Sequence, residues 1–319
     1  MTMRRALLIT LSACLCLSPT PCAAQEDSAM PPNVVIPETE IFDIHSTHAE
    51  ADFQLWVAEP IAGMMPFPPG PRGVVYVLDA NMFFGTAVEM TRVMSQLYGE
   101  LPPLLIVGIA YDTASPALQA ELRSRDFTPS TDARLANMAQ APPGAPAPTL
   151  PAEERLGRAD EFLRFLTDEA RPFIEERYEV AENSSTLFGS SLGGLLAIHA
   201  LVERPSAFDA YIAVSPALWW DEQLVMRREA EAAAARNDLD VSVFLTVGEF
   251  EERAEIPALA PFRMVSNVRE FSAQLESRNY KSLRLATRVA EGESHTTVVP
   301  GALTRGLRFV YGSASQAPR

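Results

Sequence analysis

A chain of 319 residues, 47% apolar and 21% charged, carries enough apolar side chain to bury a substantial core in one large α/β domain or two smaller ones. Its formal net charge of −15 and pI of about 4.8 argue against a nucleic-acid partner, whose phosphates demand a basic face. The same acidity favours solubility and decides nothing about substrate.

The first elements concern export. Arg4 and Arg5 open the chain, and Ala6–Leu17 is an apolar run too short to span a membrane. Ser18-Pro19-Thr20-Pro21 breaks the run, and the small residues Cys22-Ala23-Ala24 suit cleavage before Gln25. Residues 1–24 therefore read as a signal peptide, and the protein as exported, periplasmic or secreted. Cleavage there removes Cys14, Cys16 and Cys22, all the cysteines present, and leaves neither a disulfide nor a thiol nucleophile. A second reading takes Leu11-Ser12-Ala13-Cys14 as a lipobox with Cys14 as a lipid anchor; the apolar run continues past Cys14, which favours ordinary cleavage. No other stretch is long and apolar enough to cross a bilayer.

Residues 25–40 are expected to be a disordered N-terminal segment, with a folded domain over 41–312 and a disordered tail over 313–319. Strand-like runs at Ile41–Ser46 and Phe53–Glu59 suggest an antiparallel pair. His45 and His48 fall here at an H-x-x-H spacing, but on a strand they point to opposite faces with no Cys or third His nearby, so no metal site is expected. After a Pro/Gly turn, Gly73–Leu78 is a nearly continuous apolar run, the mark of a strand buried on both faces. Asp79-Ala80-Asn81 ends it. A helix near Thr86–Leu97 and a second buried strand, Leu104–Ala110, complete a parallel βαβ unit.

Tyr111–Arg158 is the least regular region, with a Pro/Ala-rich insertion near 130–156 that reads as a lid or a disordered segment. Alternation then resumes. Ala159–Tyr178 is an amphipathic helix kinked near Pro172; strands are expected at Ala210–Val214, Val241–Val247 and Ser282–Val289; helices are expected at Asp221–Arg236, Pro261–Arg278 and Val298–Tyr311. No internal repeat or second core is visible. The expected class is α/β, with a central, mostly parallel sheet flanked by helices on both faces.

The chemistry centres on Thr186-Leu187-Phe188-Gly189-Ser190-Ser191-Leu192-Gly193-Gly194, where an apolar strand turns sharply into an apolar helix. This is the G-x-S-x-G nucleophile elbow in its required setting; the alternative is a Gly/Ser-rich turn without chemistry. Ser191 must adopt a strained backbone, with Gly189 and Gly193 letting strand and helix approach. His199, within the following helix, reads as a packed residue.

A serine hydroxyl needs a neighbouring base, and α/β-hydrolases order their triad Ser, acid, His. Glu291-Gly292-Glu293-Ser294-His295 follows the last strand and holds the only histidine of the C-terminal hundred residues, so His295 is the expected base. The acid is expected within Glu249-Phe250-Glu251-Glu252, after the preceding strand; Glu251 is chosen, with Glu249 and Glu252 as alternatives. An oxyanion hole needs two backbone N–H groups, each worth ~3–4 kcal/mol. They are expected from Leu192 and from Asn81, whose loop Asp79 ties down.

These residues resemble the putative-esterase family of α/β-hydrolases, which includes esterase D and the enterobactin- and bacillibactin-type siderophore esterases. The resemblance spans roughly Ile41–Tyr311 and rests on Tyr76-Val77-Leu78-Asp79, Arg125-Asp126-Phe127-Thr128-Pro129, the elbow, Ser215-Pro216-Ala217-Leu218-Trp219-Trp220, Val247-Gly248-Glu249 and His295. Ala80 departs from the family's usual glycine, and the insertion near Pro142–Pro148 is unusual. The resemblance implies the α/β-hydrolase fold and hydrolysis of a small-molecule carboxylic ester without metal or organic cofactor, on siderophore or related esters. It implies that Trp219 and Trp220 wall a substrate pocket and that Arg123 and Arg125 receive an anionic substrate; a packed aromatic corner and an ion pair with Asp126 are the alternatives. An acyltransferase on the same fold and a non-catalytic hydrolase-fold binding protein are the rival functions.

Overall fold

The computed structural model describes residues 34–63, 66–97, 99–131, 147–253, 255 and 259–312. The expected signal peptide, the Cys14 lipobox, most of segment 25–40, residues 132–146 of the insertion and the tail 313–319 lie outside them. From Ile36 onward the chain forms one compact unit.

Eight strands form one sheet in the order β1-β2-β4-β3-β5-β6-β7-β8. They are β1 (Thr39–Ser46), β2 (Ala51–Ala58), β3 (Arg72–Val77), β4 (Leu104–Ala110), β5 (Val180–Ser190), β6 (Ala210–Val214), β7 (Ser242–Gly248) and β8 (Arg284–Ala290). β1 and β2 pair antiparallel, as expected, and β2 joins β4 antiparallel; every later pairing is parallel. The apolar runs of β3 and β4 occupy the middle because both of their faces are covered. Val74, Tyr76 and Leu78 join one core layer and Val75 and Val77 the other, as a period of two requires.

Helices α1 (Ala80–Gln96) and α8 (Val298–Tyr311) cover one face through Phe84, Val88, Val299 and Leu303. The other face carries α2 (Pro116–Phe127), α3 (Ala159–Arg164), α4 (Arg171–Glu175), α5 (Leu192–Glu203), α6 (Trp220–Ala233) and α7 (Met264–Ser277). Between α3 and α4, Phe165–Ala170 is one π-helical stretch, so the disturbance expected at Pro172 falls one turn earlier. Phe162 and Phe165 point from this segment into an aromatic cluster, Phe53 stacking on Phe165 at 4.3 Å and meeting Phe162 edge-on at 5.3 Å.

Two helix boundaries differ from expectation. α1 begins at Ala80, six residues before Thr86, because Asp79 takes a left-handed conformation (φ 54°) that turns the strand directly into the helix. α2 occupies part of the region read as irregular. Its start was marked in the sequence: Ser115 caps it, accepting from Leu118 N, with Pro116 in the first turn.

Candidate active site

β5 delivers Ser191 to the C-terminal edge of the sheet. The residue stands at φ 59°, ψ −116°, a conformation that costs a non-glycine residue ~1–3 kcal/mol and persists only where its surroundings enforce it. The enforcement is visible. Ser191 N–H donates to Val214 O (2.9 Å), while its carbonyl accepts from Leu195 N (2.9 Å) and Ala217 N (3.2 Å). Close packing completes it: a Cβ on Gly189 would lie 2.2 Å from Gly193 O, and one on Gly194 would lie 2.9 Å from Val214 O. Gly194 thus does as much as the motif glycines, a role the five-residue pattern does not contain.

His295 lies after β8, and Glu251 in the 3₁₀ turn Glu249–Glu252 after β7. His295 Nδ1 stands 2.5 Å from Glu251 Oε2. Glu251 is 3% exposed, and its Oε1 accepts from Ser215 Oγ (2.6 Å) and Gly248 N (2.7 Å). A buried carboxylate with three donors is satisfied and fixed, so it can hold one imidazole tautomer and stabilise the imidazolium. The neighbouring carboxylates have other partners. Glu249 accepts from Gly292 N (2.9 Å), and Glu252 accepts from Ser266 N (2.6 Å) and Ser266 Oγ (2.5 Å) in the first turn of α7. Ser215 opens the motif ending in Trp219-Trp220, and nothing in the sequence assigns its hydroxyl to the carboxylate thirty-six positions on.

Ser191 and His295 line one cavity of about 520 Å³ with Trp219, Phe250, Leu259, Phe262 and Met264. Among the described residues no hydrogen bond joins the two side chains; such contacts in hydrolytic sites are often long without substrate and tighten as it binds. A second cavity of about 520 Å³ opens on the other side of Ser191, lined by Leu192, Arg123, Arg155, Leu156, Trp219 and Trp220 among others. A larger cavity of about 710 Å³, bordered by Glu40, Glu59, Arg72 and Tyr178, touches none of these groups.

Asn81 sits in the first turn of α1, and Leu192 opens α5, so each N–H belongs to the helical turn that lacks an internal acceptor. The Asn81 side chain closes a two-bond ring with the backbone of Tyr111: Nδ2 donates to Tyr111 O (3.0 Å) and Oδ1 accepts from Tyr111 N (2.9 Å). That ring locks the start of α1 to the end of β4. Asp79, 3% exposed, receives a two-pronged guanidinium from Arg123 (2.7 and 2.8 Å), whose Nη2 also reaches Ser190 O at 3.5 Å. Burial works against the Arg123 charge, but the Asp79 carboxylate outweighs it and holds the guanidinium above the ordinary arginine value.

The two arginines thus have internal partners. Arg123 borders the second cavity while gripping Asp79. Arg125 forks onto Asp126 (2.7 and 2.9 Å), a buried carboxylate that also accepts from Tyr111 Oη (3.0 Å), and it borders neither cavity at Ser191. Trp219 borders both cavities and packs on Phe262 at 4.7 Å; Trp220 is buried, donating from Nε1 to Ser130 Oγ (3.1 Å). His199 is buried in α5 against Asp160 Oδ1 (2.7 Å). His45 pairs with Asp52, and His48 stands 3.7 Å from Asp168.

A strained serine at a strand-to-helix turn, sharing a cavity with an imidazole that is backed by a buried carboxylate, is the arrangement that acyl-transferring hydrolases use. The chain belongs to the Putative esterase family, whose model matches residues 67–285, and it is a serine esterase of the α/β-hydrolase fold. Ferri-bacillibactin esterase BesA of Bacillus subtilis is 32% identical over 279 residues, covering 86% of this chain and 90% of that protein. The siderophore triacetylfusarinine C esterase of Aspergillus fumigatus is 30% identical over 259 residues, covering 76% and 82%. Among solved structures, the BES protein from Bacillus cereus superposes with a TM-score of 0.73 at 31% identity, covering 89% of this chain and 98% of that one.

Proposed function

We propose that this esterase hydrolyses siderophore esters, with Ser191 as nucleophile, His295 as general base and acid, Glu251 as the orienting carboxylate, and the N–H groups of Leu192 and Asn81 as the oxyanion hole. The observation that carries the catalytic assignment is the convergence of Ser191 and His295 on one cavity, with Glu251 2.5 Å from the far nitrogen of the imidazole. The substrate class is supported by the siderophore esterases among the relatives at 30% identity or more.

In this reading His295 takes the Ser191 proton as Oγ attacks the ester carbonyl, and passes it to the leaving alcohol oxygen as the C–O bond breaks. Water then gives a proton to His295 as its oxygen bonds to the acyl carbon; the Oγ–acyl bond breaks, Ser191 Oγ takes the proton back from His295, and the acyl group leaves as a carboxylic acid. The purified protein is expected to turn over p-nitrophenyl butyrate, and Ser191→Ala to lower kcat by at least ~10³-fold. Steady-state kinetics on ferric and iron-free siderophore esters beside simple butyrates tests the substrate class: a kcat/KM no higher for the siderophores defeats that half of the proposal.

The reading extends to location. Among the described residues no helix is long and apolar enough to cross a membrane. Residues 1–24 are proposed to direct export and to be cut before Gln25, giving a periplasmic or secreted enzyme. N-terminal sequencing of protein from the cell envelope or medium is expected to begin at Gln25; a lipid-modified Cys14 at the N-terminus would overturn simple cleavage.

A further inference from the structure

The cavities on either side of Ser191 are equal in volume and unlike in lining. On the His295 side the described wall is built of Trp219, Phe250, Leu259, Phe262 and Met264. Of the polar groups there, Glu251 holds three donors, Ser294 Oγ meets Thr297 Oγ1, and the Arg253 guanidinium lies over the Phe250 ring at 3.3 Å. On the Leu192 side the wall alternates apolar residues with Glu121, Arg123, Ser124 and Arg155. These too are held by the protein, Glu121 by Thr149 N and Leu150 N, Arg123 by Asp79, Ser124 by Ala120 O, and Arg155 Nε by Leu150 O. Ser191 and Trp219 border both.

Reaction geometry tells the two apart. The tetrahedral carbon formed at Ser191 bears four groups: Oγ, the oxyanion, the leaving oxygen and the acyl chain. The leaving oxygen must lie within hydrogen-bond reach of the imidazole that protonates it. The oxyanion must face the free N–H groups at the start of α5 and α1. That leaves one direction for the acyl chain, away from His295 and along Leu192.

We infer that the apolar cavity beside His295 binds the alcohol half of the ester and the mixed cavity beside Leu192 binds the acyl half, so that an aromatic or apolar group carried on the alcohol half raises the rate. The inference rests on the serine-esterase assignment of Ser191 and His295. Each cavity falls within the ~300–1,000 Å³ range of small-molecule sites, so a two-ring aromatic group fits the alcohol side without displacing protein. After acylation the apolar alcohol departs past Trp219 and Phe262, and the attacking water arrives by the same route, because it must meet the same imidazole nitrogen.

The test uses the whole mature enzyme and two matched ester series: butyrates of methanol, butanol, benzyl alcohol and 2-naphthylmethanol, and methyl esters of acetate through octanoate. Wild-type kcat/KM is expected to rise at least ~10-fold from methyl to naphthylmethyl butyrate, the discrimination an apolar pocket typically gives. Leu259→Trp, at the half-buried rim of the His295 cavity, is expected to shrink that ratio ~10-fold and to leave the octanoate-to-acetate ratio within about twofold. Ala152→Trp, at the exposed rim of the Leu192 cavity, is expected to do the opposite. Should Leu259→Trp melt well below wild type, Phe262→Ala replaces it, with the same loss of alcohol discrimination expected. A swapped pattern, or no change of either ratio in folded variants, overturns the assignment of the cavities while the esterase stands. Absence of wild-type turnover on every ester, together with no labelling by a fluorophosphonate probe, overturns the esterase assignment itself and the cavity assignment with it.

Discussion

Ser215 stands at φ 44° with no exposed surface, its N–H on Thr246 O (2.7 Å) and its hydroxyl on Glu251 Oε1. It fixes the carboxylate that fixes the imidazole, so its effect reaches the reaction only through orientation. A hydrogen bond to a charged group contributes ~1.5–3 kcal/mol, and Ser215→Ala is therefore expected to lower kcat roughly 10- to 100-fold with KM little changed. Steady-state kinetics at fixed pH checks it, and a rise in KM with kcat intact would remove Ser215 from this role. The three glutamates separate in the same experiment. Glu251→Gln is expected to cost at least ~10²-fold in kcat, by analogy with other triad acids, while Glu249→Gln and Glu252→Gln stay within about tenfold. In the sequence these carboxylates are interchangeable. The 3₁₀ turn distinguishes them, because residues three apart eclipse: Glu249 and Glu252 share the outer side, and Glu251 alone turns into the protein. Arg123 was opaque, whereas the ion pair of Arg125 with adjacent Asp126 was one of the readings the sequence offered. Asp79, which claims the first, lies forty-four positions back in the sequence, a separation no local pattern reports.

At the scale of elements, the junction of β5 and α5 carries the tightest contact around the candidate site. Gly189→Ala would place a methyl group 2.2 Å from a backbone oxygen, so either the helix shifts or the strand does. The variant is expected to lose at least ~3 kcal/mol of stability and its activity with it, read by chemical denaturation and by ester turnover. Phe162, fully buried between Phe53, Phe127 and Phe165, tests the packing of α3 against the sheet. Phe162→Ala is expected to cost ~3–5 kcal/mol, and a loss under 1 kcal/mol would mean that this cluster contributes little. Elements with strong periodicity were readable: β3, β4 and α5 stand where their apolar runs place them. α2 was not, because Leu122 and Phe127 are almost its only large apolar residues facing the core, and a polar helix has little pattern to show. Its Ser-Pro start was the available signal.

For the whole molecule, alternation of strands and helices gives a parallel sheet but not the order of its strands. A crossover can return to either side of the strand it left, so the placement of β4 between β2 and β3 is settled by how the helices distribute over the two faces. That distribution puts Ser191, the Glu249–Glu252 turn and the His295 loop at one end of neighbouring strands, the usual location of ligands in open α/β sheets. In the proposed triad the acid Glu251 and the base His295 both follow Ser191 along the chain, and His295 comes from the loop after β8. Among the described residues α8 is the one helix that follows that loop along the chain. Under those proposed roles a ribosome-bound chain carries the serine long before it has anything to activate it, and a product of premature termination before Glu291 is expected to be a hydroxyl on a scaffold, inert toward any ester it met in the compartment where it was made.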